Sequence, residues 1–247
     1  MRLSKAWIIA EKDFAIFRKK KSIIYSVVLL PLFVSISLPL ILQFSGGSKS
    51  GEGIPAEALP TVVNAFSFLF ITGAVTLPTA IASYSLVGEK VQRSIEPLLA
   101  TPTTEGEILL GKSIAAFLPP IAAIYTGAVI FMALIDSLTY STLGYFYFPN
   151  WNMGVIMLLL APLSSILSIE FDILISSRVN DVRAAQQLGG IIALPFAGIY
   201  VLAEASILSL DTSNLLIISA SLVTIDVILF YISRAVFRRE KILTKWK

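Results

Sequence analysis

Six long apolar runs, separated by short polar intervals and preceded by one amphipathic stretch, organise this chain. The runs cover residues 23–44, 62–86, 114–135, 153–175, 188–210 and 215–233, and the third has a start as early as Ile108 open to it. At about 1.5 Å per residue, each is long enough to cross about 30 Å of hydrocarbon as a helix. Prolines inside the runs (Pro31, Pro39, Pro78, Pro119, Pro120, Pro162, Pro195) are expected to kink helices rather than end them. Only Asp211, Thr212, Ser213 and Asn214 separate the last two runs, which predicts a tight helical hairpin. Over residues 1–21, Leu3, Trp7, Ala10, Phe14 and Phe17 recur at helical spacing, while Lys5, Glu11, Lys12 and Asp13 fall elsewhere. Arg18, Lys19, Lys20 and Lys21 follow at once, so this stretch reads as a helix lying in the lipid headgroup layer. It does not read as a signal peptide: its basic region is too long and no small-residue cleavage site follows the apolar run. The expected fold is all-α: one transmembrane domain over 1–247, six spanning helices behind an interfacial helix.

Composition agrees. With 56% hydrophobic and 14% charged residues and a mean hydropathy of +0.83, the chain is not an ordinary water-soluble domain, whose charged share is about 25%. It has neither cysteine nor histidine, which removes disulfides, thiol chemistry and imidazole metal sites. The pI near 9.1 does not indicate nucleic acid, because the bases sit beside the apolar runs. Of the 19 Lys and Arg, 18 fall in alternate intervals, and Lys49 is the single exception. The positive-inside rule therefore places both termini in the cytoplasm. Of the outer segments, the one before Pro60 is rich in Gly and Ser. The other holds Tyr140, Tyr145, Phe146, Tyr147, Phe148 and Trp151, which reads as an interfacial aromatic belt or, more sharply, as a substrate-binding cap.

The cytoplasmic segment 88–113 is the one long polar interval rich in both acids and bases. Within it, Gly106 to Ser113 satisfies G-x-x-x-x-G-K-[ST] letter by letter. A phosphate cradle needs a small-residue loop after a buried strand. Here Ile108, Leu109 and Leu110 occupy the middle, and Thr101, Pro102, Thr103 and Thr104 precede it. Thr103 or Thr104 as cap, with Glu105 and Glu107 in the first turn, predicts an ordinary helix start instead.

The same segment carries a family resemblance. Glu89, the run Ile95-Glu96-Pro97-Leu98-Leu99-Ala100-Thr101-Pro102 and the run Glu107-Ile108-Leu109-Leu110-Gly111-Lys112 are similar to the second-to-third-helix segment of type-2 ABC exporter permeases. In that family an acid, a T-L-E-x-L-L-x-T-P run and an E-I-L-x-G-K run occur in this order. Ser94-Ile95 departs from the commoner Gly-Thr-Leu. The resemblance spans essentially the whole chain. It implies a cell-membrane permease that binds no cofactor, with ATP and Mg on a separate ABC ATPase subunit and a second permease copy or paralogue beside it. Glu89, Arg93, Ile95, Glu96, Leu98 and Leu99 are the implied ATPase-coupling residues. Their own chemistry suits that role, an apolar knob with a charged rim; the plainer alternative is a solvated loop with a Glu89–Arg93 helical ion pair.

Four acids lie within the spans: Glu170 and Asp172 in the fourth, Glu204 toward the outer end of the fifth, and Asp226 midway along the sixth, of which Glu170, Asp172 and Asp226 are the candidates for a role. A central acid costs roughly 2.5–3.5 kcal/mol to insert, so they form a candidate translocation path. The alternative is local satisfaction, with Arg178 or Arg183 reaching Asp172, and Asp226 bonded to Thr224 or a neighbouring helix. An ion-coupled secondary carrier using these acids is the rival function, although duplicated halves are not visible. A membrane enzyme finds no paired acid motif to support it, and a passive anchor for an ATPase has no residue signature of its own.

Overall fold

The computed structural model describes residues 2–46, 58–91, 103–205 and 207–236. They form an amphipathic helix α1 (Leu3–Lys19) and six longer ones: α2 (Lys21–Gly46), α3 (Leu59–Val91), α4 (Glu105–Leu143), α5 (Trp151–Ser176), α6 (Val182–Glu204) and α7 (Thr212–Val236). All six are long and apolar enough to cross a membrane, and no strand occurs among the described residues. Helices α2, α3 and α4 continue through Pro31, Pro39, Pro78, Pro119 and Pro120. Around the other two prolines the helix type changes. A π-helical turn, Ile156–Leu160, comes just before Pro162, and a 3₁₀ turn, Ile191–Ala193, just before Pro195.

Helix α3 is the most enclosed span and packs against both α4 and α5. The reason α5 seats there is visible in its hydroxyls. Pro78 has no N–H, so the carbonyl four residues earlier, Ala74 O, loses its helical partner. Ser165 Oγ of α5 donates to that oxygen at 2.9 Å, and Ser168 Oγ donates to Val75 O at 2.6 Å. A cross-helix hydroxyl thus supplies what the proline removes, as an apolar surrounding requires. The π turn of α5 is likewise met from outside, by Tyr125 Oη of α4 donating to Met157 O at 2.7 Å.

Toward the other end of the bundle, Phe131 lies between Phe70 and Phe148, and the aromatic segment 140–151 divides in two. Phe148 is buried, and Tyr147 is held by Asn64 and Pro60, whereas Tyr145, Phe146 and Trp151 stay exposed. Burial and the neighbouring Tyr145 push the Tyr147 phenol up to about 12, against the Asn64 bond, so it stays a donor at physiological pH. Asp136 fixes the segment by accepting from the Tyr147 and Phe148 N–H groups at 2.9 and 3.0 Å. Packing takes Tyr147 and Phe148 out of any interfacial belt and leaves Tyr140, Tyr145, Phe146 and Trp151 exposed.

Several boundaries differ from the hydropathy pattern, and two have a visible cause. Helix α4 starts at Glu105, because Thr104 and Glu107 form a reciprocal capping box (Glu107 N–H to Thr104 Oγ1, Thr104 N–H to Glu107 Oε2). Helix α6 ends at Glu204 rather than Leu210, so the expected tight hairpin is a longer connection. Its apolar Leu208 and Leu210 pack down onto the bundle from that connection, which is why hydropathy counts them as span.

Candidate functional site

Segment 88–113 is flanked by the end of α3 and the start of α4, and both flanks close on α1. The buried face of α1 is Ala6, Ile9, Ala10, Asp13 and Phe17. This corrects the expected division of that helix. Asp13, grouped by pattern with the solvated charges, is 2% exposed, while Leu3 and Trp7 of the predicted apolar face point outward at 73% and 52%. The close approach depends on Gly111: a Cβ there would stand 2.5 Å from Ala6 O and 2.8 Å from Ile9 Cβ.

Next to Gly111, Lys112 is buried at 2% exposure and lies at the centre of a charge cluster. Its Nζ is 2.6 Å from Glu89 Oε2 and 3.7 Å from Asp13 Oδ2. The same Nζ donates to Ser85 O and Ser85 Oγ, each at 3.0 Å. Ser85 Oγ in turn donates to Asp13 Oδ2 at 2.6 Å, and Lys12 Nζ donates to Glu89 Oε1 at 2.6 Å. Two carboxylates and two ammonium groups give a neutral set. Desolvation of such a set cancels much of its Coulomb gain, so its main effect is to fix register among α1, α3 and α4. A second tie holds α1 at its N-cap, where Arg2 N–H donates to Glu107 Oε1 at 2.7 Å. At the other end of α1, Lys20 Nζ stands 4.0 Å over the Tyr84 ring.

This arrangement accounts for the phosphate-loop letters. Gly106 to Ser113 is helical, Gly111 is a helix-packing glycine, and the Lys112 ammonium is committed to Glu89, Asp13 and Ser85. Glu89, the first of the expected coupling residues, turns inward and is 7% exposed. Arg93, Ile95, Glu96, Leu98 and Leu99 lie outside the described residues. Sequence reasoning missed Asp13, Ser85 and Lys112 as a group. The available signal was the pair Gly111-Lys112, a small residue beside a base inside an otherwise apolar helix.

Residues 7–233 match the family described as ABC-2 family transporter protein. The chain belongs to that family. It is thus a multi-pass membrane permease of an ABC transporter, a transport component and not itself a catalyst, and membership implies an ATP-binding partner subunit. No curated protein matches this permease.

Within the permease the three candidate acids do not form one group. Glu170 and Asp226 are both buried on the packed helices α5 and α7, and Ser233 Oγ of α7 donates to Glu170 O at 3.3 Å. Asp172 points to another face. Its Oδ1 presses on α6, where a Cβ at Gly189 would be 2.2 Å away, beside Thr79 of α3. All three residues are more than nine-tenths buried. Both carboxylate oxygens of Asp172 and of Asp226, and Oε2 of Glu170, have no hydrogen-bond partner among the described residues. Among the described residues, then, no local partner satisfies these oxygens. No ion pair joins Arg178 or Arg183 to Asp172 among the described residues, and the Thr224 hydroxyl donates to Ala220 O instead.

Proposed function

We propose that this permease forms the membrane path of an ATP-driven exporter in the cell membrane, with both termini cytoplasmic. In this reading a separate ABC ATPase docks on segment 88–113 through Arg93, Ile95, Glu96, Leu98 and Leu99. The observation that carries the reading is the buried Lys112 cluster. Because α3 and α4 are both tied to α1 there, a displacement at 88–113 moves three helices together rather than one loop. Glu89 then serves as the link from that segment to α1. ATP and Mg are held by the ATPase, and this chain needs no cofactor. A second permease copy or paralogue is the natural neighbour for the apolar outer faces of α6 and α7, the two least enclosed spans.

The docking test is direct. Replacing Ile95, Leu98 and Leu99 with aspartate should abolish co-purification of the co-expressed ATPase subunit in detergent while leaving the permease folded. Unchanged association would remove the basis of the assignment.

For the path we propose Glu170 and Asp226, with Asp172 on the adjoining face. A carboxylate kept buried without a partner costs stability, so retention points to use. Glu170→Gln and Asp226→Asn are each expected to raise thermal stability by about 1–3 kcal/mol while lowering transport about tenfold or more. Melting curves and vesicle uptake on the same preparations check this, and undiminished transport would exclude the pair from the path. That same Glu170–Asp226 pair is the one observation favouring an ion-coupled carrier. Proton- or sodium-driven transport in vesicles lacking any ATPase subunit would establish that alternative.

A further inference from the structure

A cavity of about 280 Å³ opens at the end of the bundle opposite the Lys112 cluster. Its walls come from four elements: Thr61, Asn64 and Ala65 of α3, Asn152 of α5, Ala203 of α6, and the α6–α7 connection from Leu208 to Asp211. The polar rim is held in place by its own bonds. Asn152 Nδ2 donates to Leu210 O at 3.1 Å, while Asn152 Oδ1 accepts from Thr212 Oγ1 at 2.6 Å. Asn64 Oδ1 is fixed by the Tyr147 hydroxyl at 2.9 Å, and Asn214 Nδ2 donates to Ser209 O at 2.8 Å. Nothing in this set must rearrange to admit a small molecule. Ala65, Ala203, Leu208 and Leu210 supply an apolar lining.

The charge in the cavity has one sign. Asp211 is the one carboxylate among its described lining residues, exposed and accepting from Ser209 Oγ at 3.3 Å. It immediately precedes α7, and its own carbonyl accepts from Leu215 N–H at 3.0 Å. The positive end of α7 offsets up to about half a charge and leaves the cavity negative. The surrounding segments agree: Glu52, Glu57, Asp136, Glu204 and Asp211 lie on this side of the sequence topology against Lys49 alone. No Lys or Arg occurs in 114–177 or 184–233, so the route between this cavity and the Glu170–Asp226 pair is free of fixed positive charge.

We infer that this cavity is an outward-open binding site for a small organic cation, an ammonium group with apolar substituents. The ammonium sits toward Asp211 and the substituents lie against Ala65, Ala203 and Leu208. Its place as the release station of the path rests on the exporter reading; its preference for cations does not.

The absence of native cysteine makes the site testable one thiol at a time. In whole cells expressing the full chain, A203C is labelled with the impermeant cationic reagent trimethylammonioethyl methanethiosulfonate and with its anionic sulfonatoethyl counterpart. The cation-to-anion rate ratio is divided by that at F146C, a site 68% exposed on the outer aromatic segment. The expected normalised ratio is about fivefold, falling toward one in D211N, where asparagine keeps a good helix-capping residue. Tetraethylammonium should slow labelling of A203C, and an equal concentration of benzenesulfonate should not. Thr61→Cys, at the exposed rim, replaces A203C should that variant fail to fold. A normalised ratio near one, a ratio indifferent to D211N, or no labelling at either position overturns the inference. Because labelling needs no transport, failure of the exporter assignment leaves this result readable by itself.

Discussion

Lys112→Met is expected to lower stability by about 3–5 kcal/mol, the usual cost of removing one partner from a buried charge pair. The substitution keeps the length of the side chain and removes its charge. Asp13 and Glu89 are then left facing each other around Ser85. Lys12, itself 44% exposed, pairs with Glu89, so among the described residues Asp13 keeps a hydroxyl and no cation. Thermal unfolding in detergent measures the loss. A second substitution, Asp13→Asn, tests its origin: in the Lys112→Met background it should restore part of the stability, and in the native background it should cost some. Additive effects of the two changes would mean that no charge coupling spans α1 and α4. Transport should fall in Lys112→Met even where the ATPase subunit still co-purifies, because the failure lies after docking.

Gly111→Ala should cost about 1–3 kcal/mol, far more than one methyl group ordinarily does. The added carbon would meet Ala6 O and Ile9 Cβ, and a backbone oxygen of α1 yields only if the whole helix moves. The control lies in the same bundle. At Gly73, buried in α3, nothing stands within 4 Å of a built Cβ. Gly73→Ala is therefore expected to be neutral or stabilising by up to about 1 kcal/mol, through reduced chain entropy and better helix propensity. Melting curves for the two variants, run side by side, decide the matter. Equal losses would mean that α1 does not seat against Gly111.

The spans were legible because a bilayer imposes one length and one polarity on them. The start of α4 was legible too, since Thr104, Glu105 and Glu107 act within one turn. The cluster around Lys112 was not, because its partners Asp13, Ser85 and Glu89 come from three helices distant in sequence. Periodicity also misplaced Asp13 in α1. Ala10 and Phe17 of the expected apolar stripe pack on protein beside Asp13 while Leu3 and Trp7 of the same stripe stay exposed, a division that only packing shows. The separate facing of two acids was legible: Glu170 and Asp172 are two residues apart, about 200° around a helix, and so face different neighbours. The end of α6 was hidden by Ile207, Leu208 and Leu210, apolar residues in an irregular connection.

The wide turn at Ile156–Leu160 sets the angular phase of everything after it in α5. Such a turn holds one residue more than an ordinary helical turn, which rotates the remainder of the helix by about 100°. With the turn tightened, Glu170 would swing away from α7 and Asp172 away from Gly189. The aromatic mouth and the acidic floor of the bundle are keyed to each other by that single extra residue. Any exchange between the two helical windings would therefore reach the acids as a twist of the span, not as a slide along it.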